Sequence, residues 1–251
     1  MPLSLTANSL YRAGKLDEAI EALGVELREN PTDPQRRIFL FELLCFAGNY
    51  ARAEKQLDVL VRGGRDAEMG ALLYRSALHA ERTRQHMFET GEFPCAPPPR
   101  AALSGTVNGV PFHSVVDADP RIGARLELFA AGQYMWIPFE HVASICLGPP
   151  KRLRDLLWAP AIVRAGSGFR GIELGEVLLP SIAPLTCHHA ARAVRLCRVP
   201  EQPAAGSGQQ LQIAHKLLNM REERNTTHDV PDTRPAPGKH DSTRRPHPST
   251  A

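Results

Sequence analysis

AGKLDEAIEALGVELRENP, residues 13–31, returns as AGNYARAEKQLDVLVRGGR, residues 47–65. Gly14 and Gly48 stand 34 positions apart, and the same offset relates Leu16 to Tyr50, Ala19 to Ala53 and Leu23 to Leu57. Self-similarity at a fixed period of this size marks stacked supersecondary units. Each unit reads as a pair of helices. The glycine permits the tight turn between them. The small alanine lets the helices approach, and the leucine one turn later fills the seam. Pro31 and Pro34 end one helix and start the next.

The whole stretch to about residue 92 reads as helix, and the first break is EFPCAPPPR, residues 92–100. The period and residue types resemble a tetratricopeptide repeat, so the front of the chain is read as a TPR-like α-α superhelix, residues 1–92. The second unit has Arg65 where the closing proline belongs, and the first has Glu26 where a small residue is usual. Residues 67–91 lack the turn glycine and read as one long capping helix. Two pairs and a cap are short for a solenoid, because each pair needs a neighbour to bury its apolar face. This half is therefore expected to lean on the C-terminal half of the chain. Such arrays bind polypeptides. The expected partner-binding surface is the first helix of the second pair, with Gln35, Ile38, Glu42, Cys45 and Phe46.

The proline-dense segment 93–102 reads as a linker, since it cannot continue a helix. Beyond it the grammar changes. Asn108-Gly109 is a tight-turn signal between candidate strands 103–107 and 110–116. YMWIPF (134–139), HVASICLG (141–148), PAIVRA (160–165) and GEVLLP (175–180) read as further strands. KRLRDLLW (151–158) reads as a short helix or helical turn. The fold class is α+β: the helical repeat, then a small β-rich domain, residues 103–200, forming a bent sheet or partly closed barrel with short helices.

VVDADPRIGARLELFAAGQ, residues 115–133, poses the chemical question. Asp117 and Asp119, with His113 upstream, offer an acid/base or metal constellation. The structural alternative is a helix start. Asp119 would be the N-cap and Pro120 the first helical residue. Ile122, Leu126 and Phe129 would come next at helical spacing, with Gly132 as the left-handed C-cap. Asp117 would serve the same turn or pair with Arg121 or Arg125. A metal needs more ligands than His113 adds. Cys187-His188-His189 with Cys197 lacks the two close pairs of a structural zinc site. No nucleophile elbow or phosphate loop is present. The reading is no enzyme, no catalytic residue, no metal and no cofactor.

The bulk numbers agree with a soluble adaptor. Lys and Arg number 30 against 27 Asp and Glu, so the net charge of +3 gives no reason to invoke nucleic acid or an anionic membrane. No apolar run has the length to span a bilayer. The N-terminus has no basic region followed by an apolar block, so no signal peptide is expected. Five scattered cysteines read as free thiols in a reducing, cytoplasmic compartment.

Five motifs in order carry a more specific likeness: GTVNGVPF, DADPRIGARLE, YMWIPF, PPKRLRDLLWAPA and GEVLLP. Within them stand Asn108, Gly109, Asp117, Asp119, Pro120, Arg121, Trp136, Pro138, Arg154, Asp155 and Trp158. Behind a short helical-repeat front, this order resembles the ImpE/SciE family, also called TagJ, over roughly residues 5–200. The resemblance implies a cytoplasmic, non-enzymatic accessory protein of bacterial type VI secretion. It implies binding to the N-terminal helix of the small contractile-sheath subunit and a link to the AAA+ ATPase that recycles the sheath. It supplies no catalytic residues. The chain departs from the family after AVRLCR (193–198), where residues 201–251 read as a divergent tail. Residues 209–224 could form a modest amphipathic helix, and from about 225 the composition predicts disorder. The competing readings are a TPR-type adaptor in another assembly and a metal- or carboxylate-dependent hydrolase.

Overall fold

The computed structural model describes residues 6–94, 105–112, 119–166, 174–189 and 195–196. Five helices open the chain: α1 (Ala7–Arg12), α2 (Leu16–Glu29), α3 (Pro34–Phe46), α4 (Tyr50–Leu60) and α5 (Arg65–Thr90). The repeat glycines do what the period requires. Gly14 and Gly48 turn the chain at φ 79° and 71°, in the left-handed region that a β-carbon disfavours. Ala19 and Ala53 have no exposed surface, and Leu23 and Leu57 are buried beside them. Asp33 caps α3, its carboxylate accepting from the amides of Gln35 and Arg36, with Pro34 as the first helical residue.

The two departures from the repeat pattern have physical reasons. The Glu26 carboxylate accepts from the amide of Ala7 at 3.1 Å and from Arg36 Nε at 3.1 Å, so it ties α1 and α3 to α2. A small residue could not. At the end of the second unit Gly64, at φ 105°, makes the break that a proline makes elsewhere, and α5 starts directly at Arg65.

A separate two-stranded hairpin comes next, β1 (Gly105–Val107) and β2 (Val110–Phe112). Asn108 and Gly109 turn it at φ 53° and 82°, as the dipeptide predicts. The remaining strands are β3 (Arg125–Ala130), β4 (Gln133–Pro138), β5 (Val142–Leu147), β6 (Trp158–Ala165) and β7 (Gly175–Pro180). They make one five-stranded sheet, ordered β4-β3-β7-β6-β5, with every neighbouring pair antiparallel.

The sheet is open, which corrects the partly closed barrel. After β4 the chain turns through a 3₁₀ segment, Phe139–His141, and enters β5 without pairing the two strands, so among the described residues both remain edges. The short helical turn is a 3₁₀ segment at Leu153–Leu156. The Asp155 carboxylate accepts there from the amides of Lys151 and Arg152 at 2.8 and 2.9 Å.

A second correction concerns residues 119–132. No helix begins at Asp119. Its carboxylate accepts from the Arg121 amide at 3.0 Å and from the Arg121 guanidinium, and its carbonyl accepts from Ile122 and Gly123. Asp119, Pro120 and Arg121 thus form a tight turn that leads into β3. Helical spacing misled because β3 is covered on both sides. Leu126 and Leu128 face one core cluster and Phe129 the other, so strict alternation is lost. Gly132 is a hairpin residue: Ala131 and Gly132, at φ 49° and 79°, join β3 to β4 in two residues.

The first core cluster runs without interruption from the helical repeat into the sheet. It joins Leu16, Leu23, Leu44 and Leu78 to Phe129, Trp158 and Leu178. The second lies on the opposite face of the sheet, among Leu126, Leu128, Val163 and Leu179, closed by Ile137 and Phe139. His113, Asp117, Cys95, Cys197, the amphipathic stretch 209–224 and the tail beyond it lie outside the described residues.

Candidate functional site

α5 is the element on which the two halves meet. Glu81, Arg84 and Gln85 fall at i, i+3 and i+4, so they share one helix face. All three are buried against the sheet. The Arg84 guanidinium donates to both oxygens of Glu127 on β3, at 2.8 and 3.2 Å, and to the carbonyl of Ile182 at 3.0 Å. It also reaches Glu81 at 3.4 Å. The second Glu81 oxygen accepts from the Trp158 indole at 2.9 Å, and the Gln85 carbonyl accepts from the amide of Leu185 at 2.8 Å. Tyr134 donates to Glu127 and in turn accepts from the indole of Trp136. Trp136 stacks on Phe93 and lies under the guanidinium of Arg125. Arg121 sits over Phe88 at 4.7 Å.

A second ion pair crosses the same boundary. Arg154 donates to Glu42 on α3 at 2.7 Å, both side chains being buried, and stacks over Tyr74 at 4.6 Å. The electrostatics follow from burial. Desolvation disfavours the charge on Arg84, but Glu127 and Glu81 outweigh it, and its pKa rises. For Glu42, desolvation outweighs Arg154, so the carboxyl is pushed up. Cys45, fully enclosed nearby, is raised well above its ordinary 9.0 by burial. These groups are committed to one another. Chemically the arrangement clamps a helix to a sheet.

Of the residues expected at a partner surface, Gln35 is exposed and Ile38 half-buried on α3, whereas Glu42, Cys45 and Phe46 are interior. The five share one face of α3, but that face is covered toward the C-terminal end of the helix, so they do not make one exposed surface. Trp158 and Arg154 belong to the clamp, Asp155 holds the 3₁₀ turn, and Pro138 ends β4 at the step into the next turn. Cys187 packs on the second repeat turn: a β-carbon at Gly48 would stand 2.9 Å from its sulfur. Among the described residues, no group of three His, Cys, Asp or Glu side chains has the arrangement to hold a metal. No helix there is long and apolar enough to cross a membrane. Sequence reading overlooked Glu81, Arg84, Gln85 and Glu127. The available signal was three polar residues on the apolar side of α5, between Leu78 and Phe88.

The clamp leaves a groove beside it. About 630 Å³ opens between the first half of α5 and the sheet, lined by Leu73, Tyr74, Cys146, Lys151, Ile162 and Glu176 among others.

The model of the ImpE protein family matches residues 109–233, and a tetratricopeptide repeat model matches residues 10–75. The family match runs past residue 200, into the segment read from sequence as divergent. The type VI secretion system accessory component TagJ of Pseudomonas aeruginosa is 31% identical over 263 aligned residues, covering 88% of this chain and 91% of that protein. The crystal structure of protein VPA1032 from Vibrio parahaemolyticus superposes with a TM-score of 0.65 at 21% identity, covering 77% of this chain and 83% of that one. At that identity the likeness concerns the fold.

Proposed function

The chain belongs to the ImpE family, and from that premise we propose that it is a non-enzymatic accessory component of a bacterial type VI secretion system. It acts in the cytoplasm as an adaptor. It binds the N-terminal helix of the small contractile-sheath subunit and connects it with the AAA+ ATPase that recycles the sheath. The observation that carries this reading is the 31% identity to a secretion accessory component across nearly the whole length of both chains. The repeat front supports it, since helical-pair arrays present shape to other polypeptides. So does the commitment of the buried ionisable groups to structural pairs.

The test is capture of the small sheath subunit by the full chain, beside capture of the same subunit lacking its first helix. Retention of the intact subunit alone supports the proposal. Equal retention of both removes the proposed mode, and retention of neither removes the sheath partner. Elemental analysis addresses the hydrolase alternative: stoichiometric zinc or manganese would overturn the non-enzymatic reading.

A further inference from the structure

We infer that the groove between α5 and strands β5–β6 is a docking site for one amphipathic α-helix supplied by a partner protein, laid on the sheet alongside α5. The inference rests on the adaptor reading above and adds to it a place and a geometry. In strand register, Phe129, Leu178, Pro160, Ile162 and Cys146 point to the same face of the sheet. α5 covers one side of that face. Ser76 meets the β3–β4 turn at Gly132, Arg84 meets Glu127, and Phe88 meets Trp136. Phe129 and Leu178 are accordingly buried, while Ile162 on β6 is 46% exposed and Cys146 on β5 is exposed.

The uncovered strip is two strands wide. At about 4.8 Å per strand this is roughly 10 Å, the diameter of one α-helix. The adjoining flank of α5 is apolar as well. Met69, Leu72 and Leu73 share one side of the helix at i, i+3 and i+4, and each is at least half exposed. A single helix laid in the gap would cover both walls at once and complete a helix layer on the sheet. A flat apolar surface would accept many occupants, but this one has a helix-wide floor and a helical wall. The charges point to the occupant's chemistry. Lys151 stands near one end of the strip and Arg164 at the other, with Glu176 between them. A helix with an apolar stripe and carboxylates toward its ends is the complement.

The experiment titrates the full chain into fluorescently labelled small sheath subunit and reads anisotropy. Leu73→Asp on the α5 side and Ile162→Asp on the sheet side place a charge in the groove at exposed positions, and Val25→Asp, at an exposed position on α2, is the control. Circular dichroism melts identify any variant that misfolds, and Leu73→Ala and Ile162→Ala then replace it. Each wall variant is expected to weaken binding about tenfold or more, and Lys151→Glu by a smaller factor, with the control unchanged. Binding of the wild type with no loss in either wall variant overturns the groove while leaving the adaptor reading intact. No binding by the wild type removes the adaptor reading and the groove together. A wild-type dimer by light scattering that Ile162→Asp converts to monomer assigns the groove to a second copy and overturns the proposal.

Discussion

Arg84→Met tests the claim that repeat and sheet are one cooperative unit clamped through α5. Arg84 is 1% exposed and faces two carboxylates, Glu81 at 4% exposure and Glu127 with its side chain at 12%. Methionine fills much of the aliphatic volume and removes the charge. The local balance shifts from one cation with two anions to two anions alone in a water-poor seam. Breaking a buried pair by removing one partner costs about 3–5 kcal/mol. That is a large share of the roughly 5–15 kcal/mol available to a folded domain. Some hydrogen bonding survives, because Trp158 still donates to Glu81 and Tyr134 to Glu127. The remaining loss is therefore charge, two carboxylates facing each other with no cation between them, so neutralising one of them should return part of it.

The assay is urea unfolding at pH 7.5. Tryptophan emission follows the sheet, where both Trp136 and Trp158 lie, and ellipticity at 222 nm follows the helices. In the wild type the two curves should coincide, as a continuous core requires. In Arg84→Met at pH 7.5 the midpoint should fall, and Glu127→Gln added to it should recover part of the loss. A deficit below about 1 kcal/mol, or no recovery on adding Glu127→Gln, would refute the electrostatic clamp. Wild-type curves that separate would refute the single unit.

Other expectations attach to particular residues. Gly48→Ala should cost more than Gly91→Ala by thermal melt, because both place a β-carbon at positive φ, at about 1–3 kcal/mol, but the former meets the Cys187 sulfur and the latter open space; Cys187→Ala should recover that excess alone. Stability should decline as pH rises past 9.0, since burial raises Cys45 and Tyr50 and the unfolded chain releases those protons first. The slope, about 1.4 kcal/mol per pH unit for each such group, should be shallower in Cys45→Ala when unfolding is followed from pH 8.5 to 10.5. Asp119→Ala removes turn hydrogen bonds and should cost about 1 kcal/mol or less in urea unfolding while leaving sheath-subunit capture unchanged.

Legibility in the sequence tracked whether the information was local. The repeat, the helix start at Pro34, the Asn108-Gly109 turn and the presence of β4 to β7 are written in neighbouring residues, although β6 opens two residues before the expected strand, at Trp158, which by sequence reads as the end of a helical turn. β3 is not. Its Arg125 and Glu127 look like the polar positions of a surface helix, but they are held by Trp136 and Arg84. Arg84 lies 43 residues away, and no spacing rule reaches that far. The Ala131-Gly132 turn was hidden because alanine is an unusual occupant of positive φ. Burial on α3 was half legible. Glu42 in the apolar run FELLCF looked like a polar contact on a binding face, whereas its partner, Arg154, comes from a turn 112 residues later.

The same distant contacts explain how so short a repeat is stable. A solenoid of two helix pairs exposes an apolar end at each terminus, and natural arrays close such ends with dedicated capping units. Here the later chain takes that place. α5, 26 residues and so about 39 Å long, packs one side on α4, where Arg75 and Arg82 meet Asp58 and Glu54, and the other on the sheet, where Ser76, Arg84 and Phe88 meet Gly132, Glu127 and Trp136. Leu196 joins the same core cluster and Arg195 pairs with Asp17 on α2 at 3.0 Å, so residues far along the chain reach the first pair as well. The proposed groove is the part of the sheet face beside α5 that this packing leaves uncovered.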